Sequence, residues 1–184
     1  MILTLVPHPA FPPRFVEGVS VQVERQQKGG VWLEYWVRGP GQLVLPSGAV
    51  PRRADGLWNT TCFELFSMRP SSASYYEFNF SPSFEWAAYE FDGYRSGMRE
   101  LTAVDPGIEI SLLPDHTFFL AAEPWPPELV SGDISIGLAA ILEERDGTKS
   151  YWALAHPDPE KPDFHHPGSF ILELPPTPSS SPRT

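Results

Sequence analysis

Twenty-two prolines and fourteen glycines, scattered along 184 residues, constrain this chain more than any other feature of its sequence. Proline removes a backbone donor and glycine weakens the interior of an element, so helices of several turns find no room between them. The apolar segments between the breaks are mostly of strand length. Expected strands run from Leu3 to Val6, Val19 to Arg25, Val31 to Arg38, Gln42 to Leu45, Cys62 to Met68, Ser74 to Ser81 and Trp86 to Asp92. Further strands are expected from Arg99 to Val104, Ile108 to Leu113, Thr117 to Glu123, Ile134 to Glu143, Ser150 to Ala155 and Phe170 to Leu174, with one helical turn near Glu128 to Val130. Many short strands joined by Gly, Pro, Asn, Asp and Ser turns predict an all-β chain with little helix, a two-sheet antiparallel β-sandwich of jelly-roll type.

A hydrophobic content of 41% and an aromatic content of 13% suit one globular domain. That domain is expected over residues 1–174. The last stretch, PPTPSSSPRT, residues 175–184, has no apolar side chain to offset the ordering of its backbone and is expected to be a disordered tail. The formal net charge is −10, with 23 acidic against 13 basic residues, which repels phosphate backbones and anionic lipid head groups. Neither a nucleic acid nor a membrane is expected as a partner. The start, MILTLVPHPAFPPRF, is apolar over too few residues for a secretory core, and Cys62, the single cysteine, has no partner within the chain for a disulfide. A cytoplasmic protein is expected.

Strand alternation then sorts side chains onto two faces. In Val31 to Arg38 one face carries Val31, Leu33, Tyr35 and Val37, and the other Trp32, Glu34, Trp36 and Arg38. Tyr76, Phe78 and Phe80 separate in the same way from Tyr75, Glu77, Asn79 and Ser81. Cys62, Glu64 and Phe66 fall together, as do Trp152, Leu154 and His156. If these strands are neighbours, the face turned from the core gathers carboxylates, an amide and aromatic rings. Sugars match that chemistry: hydroxyls bond to carboxylates and amides, and apolar C–H faces stack on rings such as Trp58, Trp86 or Trp152. The plainer reading is an ordinary polar outer face whose few aromatics lie under a crossing loop.

Other chemistries find less support. Glu64 and Glu77 have the residue types of a glycosidase pair, yet they serve equally well as hydroxyl acceptors. The segment HPDPEKPDFHHPGSF gathers His156, Asp158, Asp163, His165 and His166, either as metal ligands or as a proline-stiffened loop latched over a sheet end. Haem would need an axial Met or His in a deep apolar slot, and Met68 and Met98 also read as core fillers. Arg95 either forks to a ligand or pairs with Asp92 or Glu90, and Trp58 is either a lid or a plug.

Three blocks, DGLWNTTCFELF, YYEFNFSPSFEWAAYEFDGYRSGM and SYWALAHPDPEKPDFHHPGSFILEL, resemble in order those of bacterial DOMON-like domain proteins, distant relatives of the family 9 carbohydrate-binding modules. The resemblance covers about Trp32 to Leu174. It implies a β-sandwich whose open sheet face binds a sugar or a haem, with Glu64, Glu77, Asn79 and Trp86 where the carbohydrate modules place polar and stacking groups. The acidic calcium loops of the sugar-binding relatives have no counterpart, so no metal and no cofactor are assigned. The expected function is non-catalytic binding of a saccharide or sugar-derived metabolite. Glu64, Glu77 and Asn79 would hold hydroxyls, Trp86 and Trp152 would stack, Arg95 and His156 would close the rim, and Trp58 lies near the patch. A glycoside-acting hydrolase using Glu64 and Glu77, a haem binder and a protein-interaction module built on Trp32 and Trp36 stand as alternatives.

Overall fold

A computed structural model describes the chain except at positions 28, 49, 103–104, 116, 125–126 and 177–184, so most of the expected tail over 175–184 lies outside the described residues. The strands are β1 (Ile2–Pro7), β2 (Gly18–Arg25), β3 (Val31–Arg38), β4 (Arg52–Arg53), β5 (Cys62–Met68), β6 (Tyr75–Phe80) and β7 (Glu85–Phe91). They continue as β8 (Arg99–Glu100), β9 (Glu109–Leu112), β10 (Phe118–Ala122), β11 (Ile134–Glu143), β12 (Lys149–Ala153) and β13 (Leu172–Leu174). No α-helix occurs among the described residues, and the expected helical turn is a 3-10 turn over Pro127–Val130.

Two local expectations change. Gln42 to Leu45 is not a strand: Gly39 takes a left-handed φ of 73°, Pro40 opens a 3-10 turn over Pro40–Gln42, and Leu43 alone bridges to Glu144. Positions 103–104 of the expected Arg99 to Val104 strand lie outside the described residues, and β8 spans Arg99–Glu100. The short β4 carries no apolar pattern. Charge holds it instead, through Arg52 to Glu85 at 2.6 Å and Arg53 to Asp55 at 2.9 Å and to Glu100 at 3.3 Å.

The expected two-sheet antiparallel sandwich is corrected to one curled, mixed sheet. Its strand order is β4, β7, β6, β5, β11, β12, β1, β2, β3, β10, β9, with β13 also on β11 and β8 on β7. The union comes from β1, whose residues Ile2 to Leu5 pair with β2 while Val6 and Pro7 pair with β12. The mixture comes from β4, which joins β7 in parallel.

Curling brings the two halves face to face over a shared core. Val19, Val21, Leu33, Tyr35 and Leu120 from one half pack with Phe63, Leu65, Phe78, Phe80 and Leu138 from the other. The Phe63 ring lies 5.0 Å from Tyr35 and 6.0 Å from Phe118. One polar tie crosses this core, the Tyr35 hydroxyl donating to the Glu64 carbonyl at 2.7 Å. Tyr35→Phe should therefore cost about 1–2 kcal/mol and lower the melting temperature by about 2–8 °C. An unchanged urea midpoint would show that the tie adds nothing.

The half built from β5, β6, β7, β11 and β12 is buried on its other face as well. There Cys62, Phe66, Tyr75, Tyr89, Phe91 and Ile141 pack with Phe164 and Phe170 of the segment 154–171. That segment crosses β11 closely. A Cβ at Gly137 would stand 3.1 Å from the Ser169 carbonyl oxygen, so glycine permits the approach.

Candidate functional site

Between this covered face and the segment that crosses it lies a pocket of ≈ 530 Å³. Its size falls in the range of small-molecule sites. The strand register decides its floor. Glu64 on β5 stands opposite Asn79 on β6, and Glu77 opposite Phe66, so the two glutamates are diagonal neighbours on one face.

The floor carboxyls are unequally satisfied. Glu77 Oε1 accepts from Asn79 Nδ2 at 2.7 Å, and Asn79 Oδ1 in turn accepts from the Cys62 thiol at 3.6 Å. The Glu64 carboxyl is 3% exposed, lines the pocket and accepts no hydrogen bond among the described residues. Burial, and then the charge of Glu77, push the Glu64 carboxyl well above the usual carboxylate range, against the pull of Arg95. Burial likewise pushes Glu77 up to about 7, although the Asn79 bond and Arg95 work the other way.

Aromatic rings make the walls. Tyr89 and Phe91 come from β7, Tyr151 from β12 and Phe164 from the covering segment. Trp58 stands at the mouth, 42% exposed, on a 3-10 turn over Leu57–Asn59, with its ring 6.3 Å from Tyr89. The Tyr89 hydroxyl donates to Asp55 Oδ1 at 2.6 Å, which keeps the ring upright.

The rim is an ion pair under backbone strain. Arg95 has φ of 51°, a left-handed conformation uncommon for a residue with a Cβ. Its guanidinium donates to Asp163 Oδ1 at 2.8 Å, and the Tyr94 hydroxyl donates to Asp163 Oδ2 at 2.5 Å. Asp92 and Glu90, weighed above as its partners, pair with Arg99 instead. His165 lines the pocket beside this pair. Its Nδ1 shares a hydrogen bond with the Tyr75 hydroxyl at 2.8 Å, and its Nε2 lies 3.7 Å from Glu77 Oε2. Burial, followed by the charge of Arg95, lowers the His165 pKa to about 4, so the ring is neutral near pH 7.

Of the residues singled out from sequence, Trp58, Glu64, Glu77 and Arg95 meet in this pocket, and Asn79 lies buried beside Glu77. Trp86 and Trp152 do not. Both face the shared core, 7% and 3% exposed, because they hold the opposite parity to Tyr89 and Tyr151 on their strands. His156 also stands outside, its Nε2 donating to the Val6 carbonyl at 2.9 Å and so fastening the covering segment to β1. His8 fastens it again through Nε2 to the Asp158 carbonyl at 2.9 Å. Tyr89, Phe91 and Tyr151 were missed. Carrying the parity of Glu77 across to β7, and separating Tyr151 from Trp152, would have found them. Nothing in the pattern signals Phe164, while His165, named above within the histidine-rich segment, reaches the site on the same loop. Among the described residues no group of three or more His, Cys, Asp or Glu side chains could hold a metal ion.

No family model and no curated protein matches the sequence. A solved structure from Bacteroides uniformis, described as a "putative carbohydrate-binding protein", superposes with a TM-score of 0.66 at 16% identity, covering 93% of this chain and 84% of that one. A family 9 carbohydrate-binding module from Caldicellulosiruptor kristjanssonii, solved in complex with cellotriose, gives a TM-score of 0.48 at 11% identity, with 88% and 78% covered. At such identity the Bacteroides likeness establishes a common fold.

Proposed function

We propose that this chain is a non-catalytic, DOMON-like domain that binds a saccharide in the pocket over β5, β6 and β7. The observation that carries the reading is Glu64, a buried carboxyl that lines an aromatic-walled pocket without a hydrogen-bond partner from the chain. Its oxygens open into the pocket rather than onto the chain, and a ligand hydroxyl entering the pocket would donate to them. The rings of Tyr89, Tyr151 and Trp58 offer the apolar surfaces against which sugar C–H faces stack. The placement of Glu64 and Glu77 side by side on one floor lets both carboxyls bond to hydroxyls of one sugar ring. The same acidic floor fits poorly with haem, whose slot is apolar.

A thermal-shift series with cellobiose, xylobiose, N,N′-diacetylchitobiose and haemin tests this directly. A disaccharide present at about 100 times its Kd should stabilise the fold by about 2.7 kcal/mol, and Glu64→Ala should abolish the shift. Trp58→Ala should weaken binding about tenfold through lost stacking. Stabilisation by haemin alone would overturn the saccharide reading, as would a saccharide shift that survives Glu64→Ala.

A further inference from the structure

Two carboxyls that can ionise stand on the pocket floor with no side-chain cation left to face them, and that narrows the ligand. On the floor stand two carboxyls, Glu64 and Glu77, and against them the lining offers one guanidinium, that of Arg95. Arg95 is already committed to Asp163 at 2.8 Å, so that pair contributes no net charge. His165 contributes none either, since it is neutral near pH 7 and its Nδ1 is engaged with Tyr75. Arg53, close behind the Tyr89 ring, is taken up by Asp55 and Glu100. Among the described residues, the only side-chain hydrogen bond that reaches either floor carboxyl comes from the neutral amide of Asn79.

We propose that the saccharide bound here carries a free, protonated amine, an amino sugar, with its ammonium group seated between Glu64 and Glu77. This inference rests on the saccharide reading and sharpens it. Every hydrogen of an ammonium group is a donor and its charge favours the ionised form of the floor carboxyls, whereas a sugar hydroxyl supplies one donor and no charge. The aromatic rings lining the pocket, Tyr89, Phe91, Tyr151 and Phe164, add attraction for a cation wherever it meets a ring face. An N-acetylated sugar would forfeit both advantages, because its amide is neutral and offers a single N–H.

Titration calorimetry near pH 7 with deacetylated chitobiose, cellobiose and N,N′-diacetylchitobiose isolates the amine, since the three differ only in the substituent at C2. Deacetylated chitobiose should bind at least about tenfold more tightly than either of the others. Its heat should vary with the ionisation enthalpy of the buffer, because floor carboxyls that hold a proton when empty release it to face the cation. Its affinity should also fall with added salt, while that of cellobiose should not. Glu64→Gln should lower the affinity ratio of deacetylated chitobiose to cellobiose by about fivefold or more, and Glu77→Gln does the same service if the first variant folds poorly.

Equal or tighter binding of cellobiose would overturn the amine inference and leave the saccharide reading standing. If none of the three disaccharides bound, both would fall together. Cyclohexylamine, an amine on a ring without hydroxyls, serves as the last comparison. Should it bind as tightly as deacetylated chitobiose, the site would be an amine site indifferent to sugars, and the assignment to an amino sugar would fail.

Discussion

Glu77→Gln is expected to make this protein more stable than wild type at pH 8, by on the order of 3 kcal/mol, while changing little at pH 4.5. The Glu77 carboxyl, 5% exposed, titrates near 4.5 when free and near 7 in the fold, so between those values the folded chain holds a proton that the unfolded chain has lost. Its stabilising contribution is complete below pH 4.5 and disappears as the pH rises through 7. Glutamine imitates the neutral carboxyl at every pH and can still accept from Asn79 Nδ2. The difference between variant and wild type should thus open across that window and correspond to about 6–12 °C in melting temperature at its widest. His165, whose pKa is lowered to about 4, gives an opposite slope between about 4 and 6.5, but it does so in both proteins and cancels from the difference. Urea unfolding of both proteins at four pH values measures it. A difference that stays flat from pH 4.5 to 8 would mean that Glu77 is not held protonated by its burial.

An opposite and equally large effect is expected at Glu144, which follows β11 and is 1% exposed. Its carboxylate collects the backbone N–H groups of Arg14 at 3.2 Å, Phe15 at 2.8 Å and Val16 at 2.9 Å. This is a cradle of successive amides closed on an anion, and it fixes the connection between β1 and β2 so that Val16 enters the core. Glu144→Ala strands those amides and should cost about 3–5 kcal/mol, or about 6–20 °C in melting temperature. Glu144→Gln keeps one acceptor oxygen and should recover part of the loss. Amide exchange at Phe15 and Val16 should accelerate in the alanine variant. Unchanged exchange with an unchanged unfolding midpoint would show that water replaces the carboxylate at no cost.

How far the sequence could be read differs between the strands and the site, for a physical reason. Where a strand has one apolar and one polar face, as in Val31 to Arg38 or Tyr75 to Phe80, parity assigns both faces correctly. On β7 and β12 both faces are aromatic, Trp86 against Tyr89 and Trp152 against Tyr151, so hydrophobicity alone offers no contrast and ring size points to the wrong face. The curl of the sheet was hidden because β1 divides its few residues between two neighbours, which no local pattern announces. The pocket's cover was legible only as one of two readings, a proline-stiffened latching loop against a set of metal ligands. The segment 154–171 is rich in proline and histidine, and only the fold reveals that His8, His156 and His165 tie it across the face that bears the glutamates.

Those glutamates also act as a ruler for the sheet. On β5 and β6 the floor residues Glu64 and Glu77 alternate with Phe63, Leu65, Phe78 and Phe80, which fill the shared core. A slip of one residue in either strand would exchange the two sets, driving a carboxyl into a space lined by Phe118, Leu120 and Leu138. An unpaired charge in such surroundings costs several kcal/mol, far more than a solvated outer face could exact for the same slip. The pocket therefore disciplines the folding of the strands beneath it. Variants that neutralise its floor should gain native stability while losing some of the penalty against misaligned strands.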